Sequence, residues 1–341
     1  MKQSIQDIAK QAGVSIATVS RVINSKPGVT EKTQNRIKSI LDKYNYRPTR
    51  IKKGDYLNIG VVIPCHGAAS FSDWYTNQLL EGVYSFSFSD FINVVTIPLD
   101  DYLSMRIDVK QELVRKHIDG IIVINATRES AYTRELHEDG FPVVLINEDM
   151  GGSVHSIFSD SGDGVYRVVR MMLERGHRDI EFFHGHLSFT DTAVRINGFK
   201  KAMLEAGVDD WERHLVLNNP YSNMPQVNLG YERAVERIKS GSSFTAVLCN
   251  NDDIALGVLK ACTEAGLKVP DDVSLCGFDD HHYGRYLTPS LSTIRQSLKE
   301  MGKGAVDVLS RIIKENAKSF SPLKQIFPVE LIVRDSLGKK K

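Results

Sequence analysis

Beyond residue 57, short unbroken apolar runs alternate with stretches of helical periodicity, and this alternation restricts the folds open to the chain. Such runs are typical of parallel strands that are buried on both faces and covered by helices. The apolar runs occupy 59–63, 94–98, 120–124, 143–146, 180–183, 246–249 and 273–277, and helical stretches occupy 76–88, 107–117, 163–175 and 253–265. The pattern predicts an α/β fold with doubly wound parallel sheets. At about 280 residues, this body favours two lobes over one sheet.

The charge of the chain is divided unevenly along its length. The 341 residues have a formal net charge of +1. Residues 1–53, however, hold 12 Lys and Arg against 3 Asp and Glu, a net charge of +9, so the remainder carries −8. A small basic head on an acidic body indicates a polyanionic partner for the head alone. The alternative is a basic face that is merely solvated.

The basic head has the pattern of an all-α helix-turn-helix domain. Ser4, Ser15 and Thr30 are each placed to cap a short helix, and Gly13 separates the first two helices. At a major groove, hydroxyl groups can bind phosphates, apolar side chains can contact thymine methyl groups, and an arginine can bind guanine. The residues that the second helix would present in this way are Ser15, Ile16, Ala17, Thr18, Ser20 and Arg21.

The same helix carries a family motif. The head reads Asp7-Ile8-Ala9, Gly13-Val14-Ser15 and Thr18-Val19-Ser20-Arg21-Val22, then Asn24, with Tyr46-Arg47-Pro48 further on. This arrangement closely resembles the DNA-binding head of the LacI/GalR family of bacterial repressors. The resemblance implies that positions 16, 17 and 21 read bases and that Asn24 also contacts DNA. It further implies a homodimer on a pseudo-palindromic operator, because one short helix reads only a half-site.

The segment after Pro48 departs from this family. A hinge helix is usual there, with a leucine that wedges into the minor groove, but 49–58 is about four residues short and has no such leucine. Gly54 and Asp55 are also poor residues for a helix interior. We therefore predict a short basic linker whose Arg50, Lys52 and Lys53 bind phosphates.

The resemblance continues through the body in several landmarks. They are Ile59–Pro64, Gly176-His177-Arg178, Asn251-Asp252, Gly277-Phe278-Asp279-Asp280 and Leu331–Ser336. They imply a two-lobed, periplasmic-binding-protein-like effector domain that closes around a small ligand, usually a sugar or a nucleobase. The expected domains are 1–48 for the head, 49–58 for the linker and 59–337 for the effector and dimerisation domain. Its first lobe is expected at about 59–158 and 291–322, and its second at about 159–290 and 323–337.

Several polar residues follow predicted strands, where ligands bind in sheets of this type. Asn147, Asn251 and Asp279 hold such positions, and Asn251 with Asp279 could bind vicinal hydroxyl groups. The resemblance assigns Arg195 to the ligand, and Asp191 lies one helical turn before it. For each residue the alternative is a helix cap or a structural hydrogen bond.

Two aromatic residues, Trp74 and Tyr75, precede a predicted helix of the first lobe. Their rings could stack against the apolar side of a sugar. The alternative for both is packing at the surface or between the lobes.

Other classes of function fit less well. Asp279-Asp280-His281-His282 cannot all point at one ion, so no metal or cofactor is predicted. A carbohydrate-active enzyme would need opposed carboxylates, and no nucleophile elbow or P-loop is present either, so we predict no enzyme. A sugar-binding transport receptor would need a signal peptide, whose pattern is missing.

The sequence also indicates the cellular location of the protein and the state of its cysteines. No run of 18 apolar residues occurs, so no membrane association is expected. The four cysteines show no CxxC spacing, and Cys249 and Cys276 are predicted to be buried thiols. The sequence predicts a cytoplasmic, DNA-binding regulator, most simply a repressor, that is controlled by a small ligand such as a sugar.

Overall fold

The polypeptide divides after Tyr56 into two units, Met1–Tyr56 and Leu57–Lys341. The computed structural model describes residues 5–23, 28–43, 56–63, 73–87, 91–99, 104–217, 225–315 and 321–340. Within these ranges, no helix is both long enough and apolar enough to cross a membrane.

The first unit contains three short helices, as predicted. They are α1 (Ile5–Ala12), α2 (Ile16–Ile23) and α3 (Glu31–Lys43). Gly13 has a φ of +61°, a conformation that glycine adopts without strain, and the Ser15 hydroxyl accepts a hydrogen bond from the Thr18 amide at 3.1 Å. The helices share a small apolar core built on Ile8, Val19 and Ile37. The predicted cap Ser4 lies outside the described residues.

The first lobe of the second unit is a six-stranded parallel sheet. Its order is β11-β5-β4-β3-β1-β2. The strands are β1 (Leu57–Ile63), β2 (Ile92–Pro98), β3 (Gly120–Ile124), β4 (Val143–Ile146), β5 (His155–Ser159) and β11 (Lys324–Phe327). The helices of this lobe are α4 (Trp74–Ser87), α5 (Val109–Arg115), α6 (Ala131–Glu138) and α11 (Leu298–Lys314). Separate apolar clusters cover the two faces of the sheet.

The second lobe is a four-stranded parallel sheet of order β7-β6-β8-β9. Its strands are β6 (Ile180–His184), β7 (Leu215–Leu217), β8 (Ala246–Cys249) and β9 (Ser274–Cys276). Its helices are α7 (Ser161–Glu174), α8 (Thr190–Glu205), α9 (Gln226–Lys239) and α10 (Asp252–Glu264). Two clusters again cover the sheet, and Cys249 and Cys276 are buried in them, as predicted. The α/β prediction is thereby confirmed.

The chain passes between the lobes three times, and a separate pair of strands lies at the last two crossings. Strand β10 (Thr293–Gln296) is antiparallel to β12 (Val329–Ile332). Ser292, just before β10, still pairs with Cys276 of the second lobe.

The predicted domain limits need two corrections. The prediction that the segment 323–337 lies wholly in the second lobe is wrong. Its strand β11 pairs with β5 and extends the sheet of the first lobe. The predicted linker 49–58 ends inside β1, because that strand already begins at Leu57. Residues 49–55 of the linker lie outside the described part of the chain.

Candidate DNA interface and ligand cleft

The outward side of α2 exposes the residues that the sequence predicts. Val19 and Val22 are turned into the core of the first unit, whereas Ile16 is 47% exposed. Ser15, Ala17 and Arg21 are also exposed, and Thr18 and Ser20 are partly so. About half of the Ile16 side chain is thus free for a contact on the same side of α2 as Ala17 and Arg21. Asn24, Arg50, Lys52 and Lys53 lie outside the described residues.

In the second unit, Arg195 and Asp191 form a buried ion pair on α8. Arg195 Nη2 lies 2.6 Å from Asp191 Oδ2, and the two side chains are 6% and 15% exposed. Arg195 Nη1 also donates to the carbonyl of Asn250 at 2.7 Å, and its guanidinium lies 3.6 Å above the centre of the Phe278 ring. Among the described residues, Arg195 Nε has no hydrogen-bond partner. The arginine is thus held from three sides, with one donor still open.

Asp279 stands beside this arginine at the end of the second-lobe sheet. Its backbone φ is +100°, and its Oδ1 accepts a hydrogen bond of 2.6 Å from Gln296 Nε2. Desolvation by the surrounding protein raises the pKa of Asp279 to about 7, although the Arg195 charge acts in the opposite direction. A non-glycine residue at such a φ is strained, and strain of this kind is concentrated at binding sites.

The first lobe contributes Tyr75 and Asn147 to the same place. Asn147 follows β4, and its Nδ2 donates to the Tyr75 hydroxyl at 2.8 Å. The Asn147 Oδ1 accepts from the Ser159 amide at 3.3 Å. Burial raises the pKa of Tyr75 well above its ordinary value, and the carboxylates of Asp191 and Asp279 add to this effect. The structure therefore brings together five predicted residues: Tyr75, Asn147, Asp191, Arg195 and Asp279.

Trp74 packs between the lobes. Its ring centre lies 4.7 Å from that of His281 and 5.2 Å from that of His282, both in the second lobe. The His281 ring in turn lies 3.9 Å from Tyr283. This arrangement favours lobe packing, which was the alternative interpretation for Trp74.

Asn251 does not join the cluster. Its Oδ1 accepts a hydrogen bond from the Ile254 amide at 2.8 Å and so caps α10. The neighbouring Asn250 contacts Arg195 instead, through its carbonyl and its side-chain oxygen. The cap is the alternative interpretation given for this residue, and contact between Asn251 and a ligand stays a prediction.

A second set of contacts joins the lobes away from this cluster. The Arg128 amide donates to the Ser188 carbonyl at 3.1 Å, and Thr190 Oγ1 donates to Glu148 Oε2 at 2.6 Å. A cavity of about 340 Å³ lies here, lined by Arg128, Arg134, Glu148, Asp149, Met150, Gly151 and Thr190. The lobes are therefore in contact at both places.

Both units match known sequence families. Residues 4–49 match the family described as bacterial regulatory proteins, lacI family, and residues 169–337 match the periplasmic binding protein-like domain. The chain is 32% identical to the HTH-type transcriptional repressor PurR of Actinobacillus pleuropneumoniae serotype 3 (strain JL03), covering 98% of each sequence. It is 29% identical to the PurR of Vibrio vulnificus (strain CMCP6), covering 98% of this chain and 99% of that one.

Solved structures resemble the chain over its whole length. A lac repressor dimer bound to operator and the anti-inducer ONPF aligns with a TM-score of 0.80 at 24% identity, covering 98% of this chain and 99% of the other. A complex of the transcriptional regulator CelR with cellobiose aligns with a TM-score of 0.75 at 22% identity, with the same coverage. At these identities, the two structures support the fold.

Proposed function

Because the chain belongs to the lacI family of bacterial regulatory proteins, we propose that it is a dimeric repressor whose operator affinity changes when a small polyhydroxylated ligand, such as a sugar, enters the cleft. The family membership makes it a transcriptional regulator with a ligand-binding domain. The dimer, the operator symmetry and the kind of ligand belong to the proposal.

The exposed face of α2 supports the DNA-binding part of the proposal. Ile16 and Ala17 stand at the start of the helix, where they would contact base edges if this end entered the major groove. Arg21 is one turn further along the same face and can donate two hydrogen bonds to a guanine. Lys10, Lys32, Arg36 and Lys38 of this unit are exposed and available to phosphates.

The polar cluster of the cleft is the observation that carries the ligand-binding part. Its members come from both lobes, so a ligand held between Asn147 on one side and Arg195 with Asp279 on the other would link the lobes. Hydroxyl groups donate to carboxylates and accept from guanidinium, which matches these side chains. The CelR structure, which holds cellobiose, shows that this fold can accommodate a sugar.

Selection of binding sites from random duplex DNA tests the DNA-binding part. We expect the full-length protein to enrich two half-sites in inverted order, because each α2 of a dimer reads one of them. Enrichment of a single asymmetric half-site would refute the dimer, and failure to enrich any sequence would refute sequence-specific binding.

A further inference from the structure

The ligand cleft holds more carboxylates than cationic groups. Arg195 is the described cation at the cluster, and its charge is engaged by Asp191. Asp73, Asp253 and Asp279 accept hydrogen bonds from uncharged groups, namely Thr76, Tyr283 and Gln296. Among the described residues, none of these three carboxylates forms a salt bridge with a lysine or an arginine.

These carboxylates are close enough to affect one another across the two lobes. Asp73 lies at the start of α4 in the first lobe, where its pKa is raised by burial and also by the charge of Asp253 in α10. The charges of Asp73 and Asp191 likewise add to the raised pKa of Asp279. Confining like charges in a partly desolvated cleft is costly, and the cost is relieved either by proton uptake, as the raised pKa values indicate, or by a positive charge that a ligand supplies.

An independent observation is that Gln296, the hydrogen-bond partner of Asp279, has an acceptor that is unpaired within the described part of the chain. Gln296 is 5% exposed and donates through Nε2 to Asp279, but its Oε1 has no hydrogen-bond partner among the described residues. Buried amide oxygens are normally paired. Its position next to Asp279 places an open acceptor beside a carboxyl group that has no salt bridge among the described residues, and a charged donor would satisfy both.

The aromatic residues of the cleft fit the same ligand. Tyr75 is in the cluster, and its neighbour Trp74 packs on His281 between the lobes. Burial lowers the pKa of His281 below its ordinary value, so this imidazole adds little positive charge at neutral pH. Tyrosine and tryptophan faces attract cations and repel anions.

We propose that the ligand carries a protonated amine, as an amino sugar does, and that Asp73, Asp253 and Asp279 surround its ammonium group. An ammonium group supplies three donors, and Gln296 Oε1 is placed to accept one of them. A ligand with a phosphate or a carboxylate would be repelled by the same residues. This inference rests on the proposed role of the cleft as a ligand site.

Matched sugars that differ only in charge test the inference with the full-length protein. The probes are glucosamine, glucose and glucuronate, together with galactosamine, galactose and galacturonate, at one pH and ionic strength. We expect an amine to raise the melting temperature more than its neutral and acidic partners do. A neutral or acidic sugar that binds as well as its amine, or a panel in which no amine binds, would overturn the inference. Operator binding is measured in a separate experiment. A failure of the amine inference can then be distinguished from a failure of the proposed function as a DNA-binding regulator.

The substitution Asp73→Asn tests the assigned carboxylate directly. Asparagine also caps helices well, so α4 keeps its cap while the charge is removed. We expect the affinity for the best amine to fall about tenfold, the usual effect of losing one charged hydrogen bond, with a much smaller change for its neutral partner. Asp209→Asn, a matched change on an exposed turn, should alter neither affinity. Equal losses for the amine and the neutral sugar would mean that Asp73 acts only on the fold, and would overturn its assignment.

Discussion

The head and the ligand cleft display their functional side chains in opposite ways. On α2, Ile16 is 47% exposed and the polar residues around it are mainly solvated. In the cleft, Arg195 is 5% exposed and is bonded to Asp191 and Asn250. A substitution on α2 should therefore change DNA affinity and little else. A substitution in the cleft should change ligand affinity and stability together, because the same bonds serve both.

Arg195→Ala should have the largest effect on stability. It leaves the Asp191 carboxylate buried without its partner, and breaking a buried ion pair in this way costs about 3–5 kcal/mol. Denaturant unfolding of the second unit within the full chain measures the loss. Arg311→Ala serves as the control, since its pair with Asp307 is solvated and should be worth less than about 1 kcal/mol. Similar losses for the two variants would mean that the buried pair of the cleft contributes no more to stability than an exposed one.

Asp279 should make the stability of the cleft depend on pH. Its pKa is about 7 in the folded protein, above its ordinary value of 3.8, so the native state binds the proton more tightly than the unfolded chain does. Stability therefore falls as the pH rises from about 4 to about 7 through this group. Asp279→Asn should remove that contribution, so the variant should gain stability relative to the parent as the pH rises from about 4 to about 7. A difference between the two proteins that is constant with pH would contradict the shift.

Arg21→Ala should weaken binding to the selected operator by roughly 1–3 kcal/mol, because one bidentate contact to a base is lost. The melting temperature should not change, since Arg21 is exposed. Affinities for operator and for random DNA, measured at the same salt concentration, separate base reading from phosphate binding. Equal losses on both DNAs would remove Arg21 from base reading. Lys10→Ala provides the matched loss of an exposed positive charge on α1.

Asn251→Ala should have the smallest effect on stability and should leave ligand binding in the cleft intact. Loss of the cap on α10 costs about 1 kcal/mol, and Asn251→Asp should recover most of it, because aspartate caps equally well. Ligand affinity should be unchanged in both variants. If Asn251→Asp preserves stability but clearly lowers ligand affinity, then Asn251 contacts the ligand.

Local patterns were sufficient for the head and for the apolar strands. The helix caps and the apolar periodicity of α1 to α3 depend on residues that are close in sequence. Strands β3, β4 and β8 contain no polar side chain, so each is visible as an unbroken apolar run. Strand β5 (His155–Ser159) is buried throughout, but three of its five residues are polar. It therefore forms no apolar run that the sequence could reveal. Strand β7 has only three residues, which is too short for periodicity to show.

The sequence predicts most residues of the cleft but not the bonds between distant ones. Arg195 follows from the family resemblance, and Asp191 from its position one helical turn before it, a spacing at which an ion pair can form. The contact between Asn147 and Tyr75 joins residues 72 positions apart, and only the folded sheet shows it. Gln296 was missed because β10 was not recognised. Asn251, followed by two aspartates, had the pattern of a helix cap.

The pairing of β11 with β5 has a consequence for synthesis of the chain. The first lobe begins at Leu57, yet its outermost strand is Lys324–Phe327 and its packing helix α11 is Leu298–Lys314. On the ribosome, this lobe therefore stays incomplete, with one edge and part of one face uncovered, while most of the second lobe is made. A chain that stops before residue 324 should lose its first lobe, although most of that lobe has already been translated. The second lobe in turn is closed only by Val329 and Leu337, so neither lobe is complete until the end of the chain has been made.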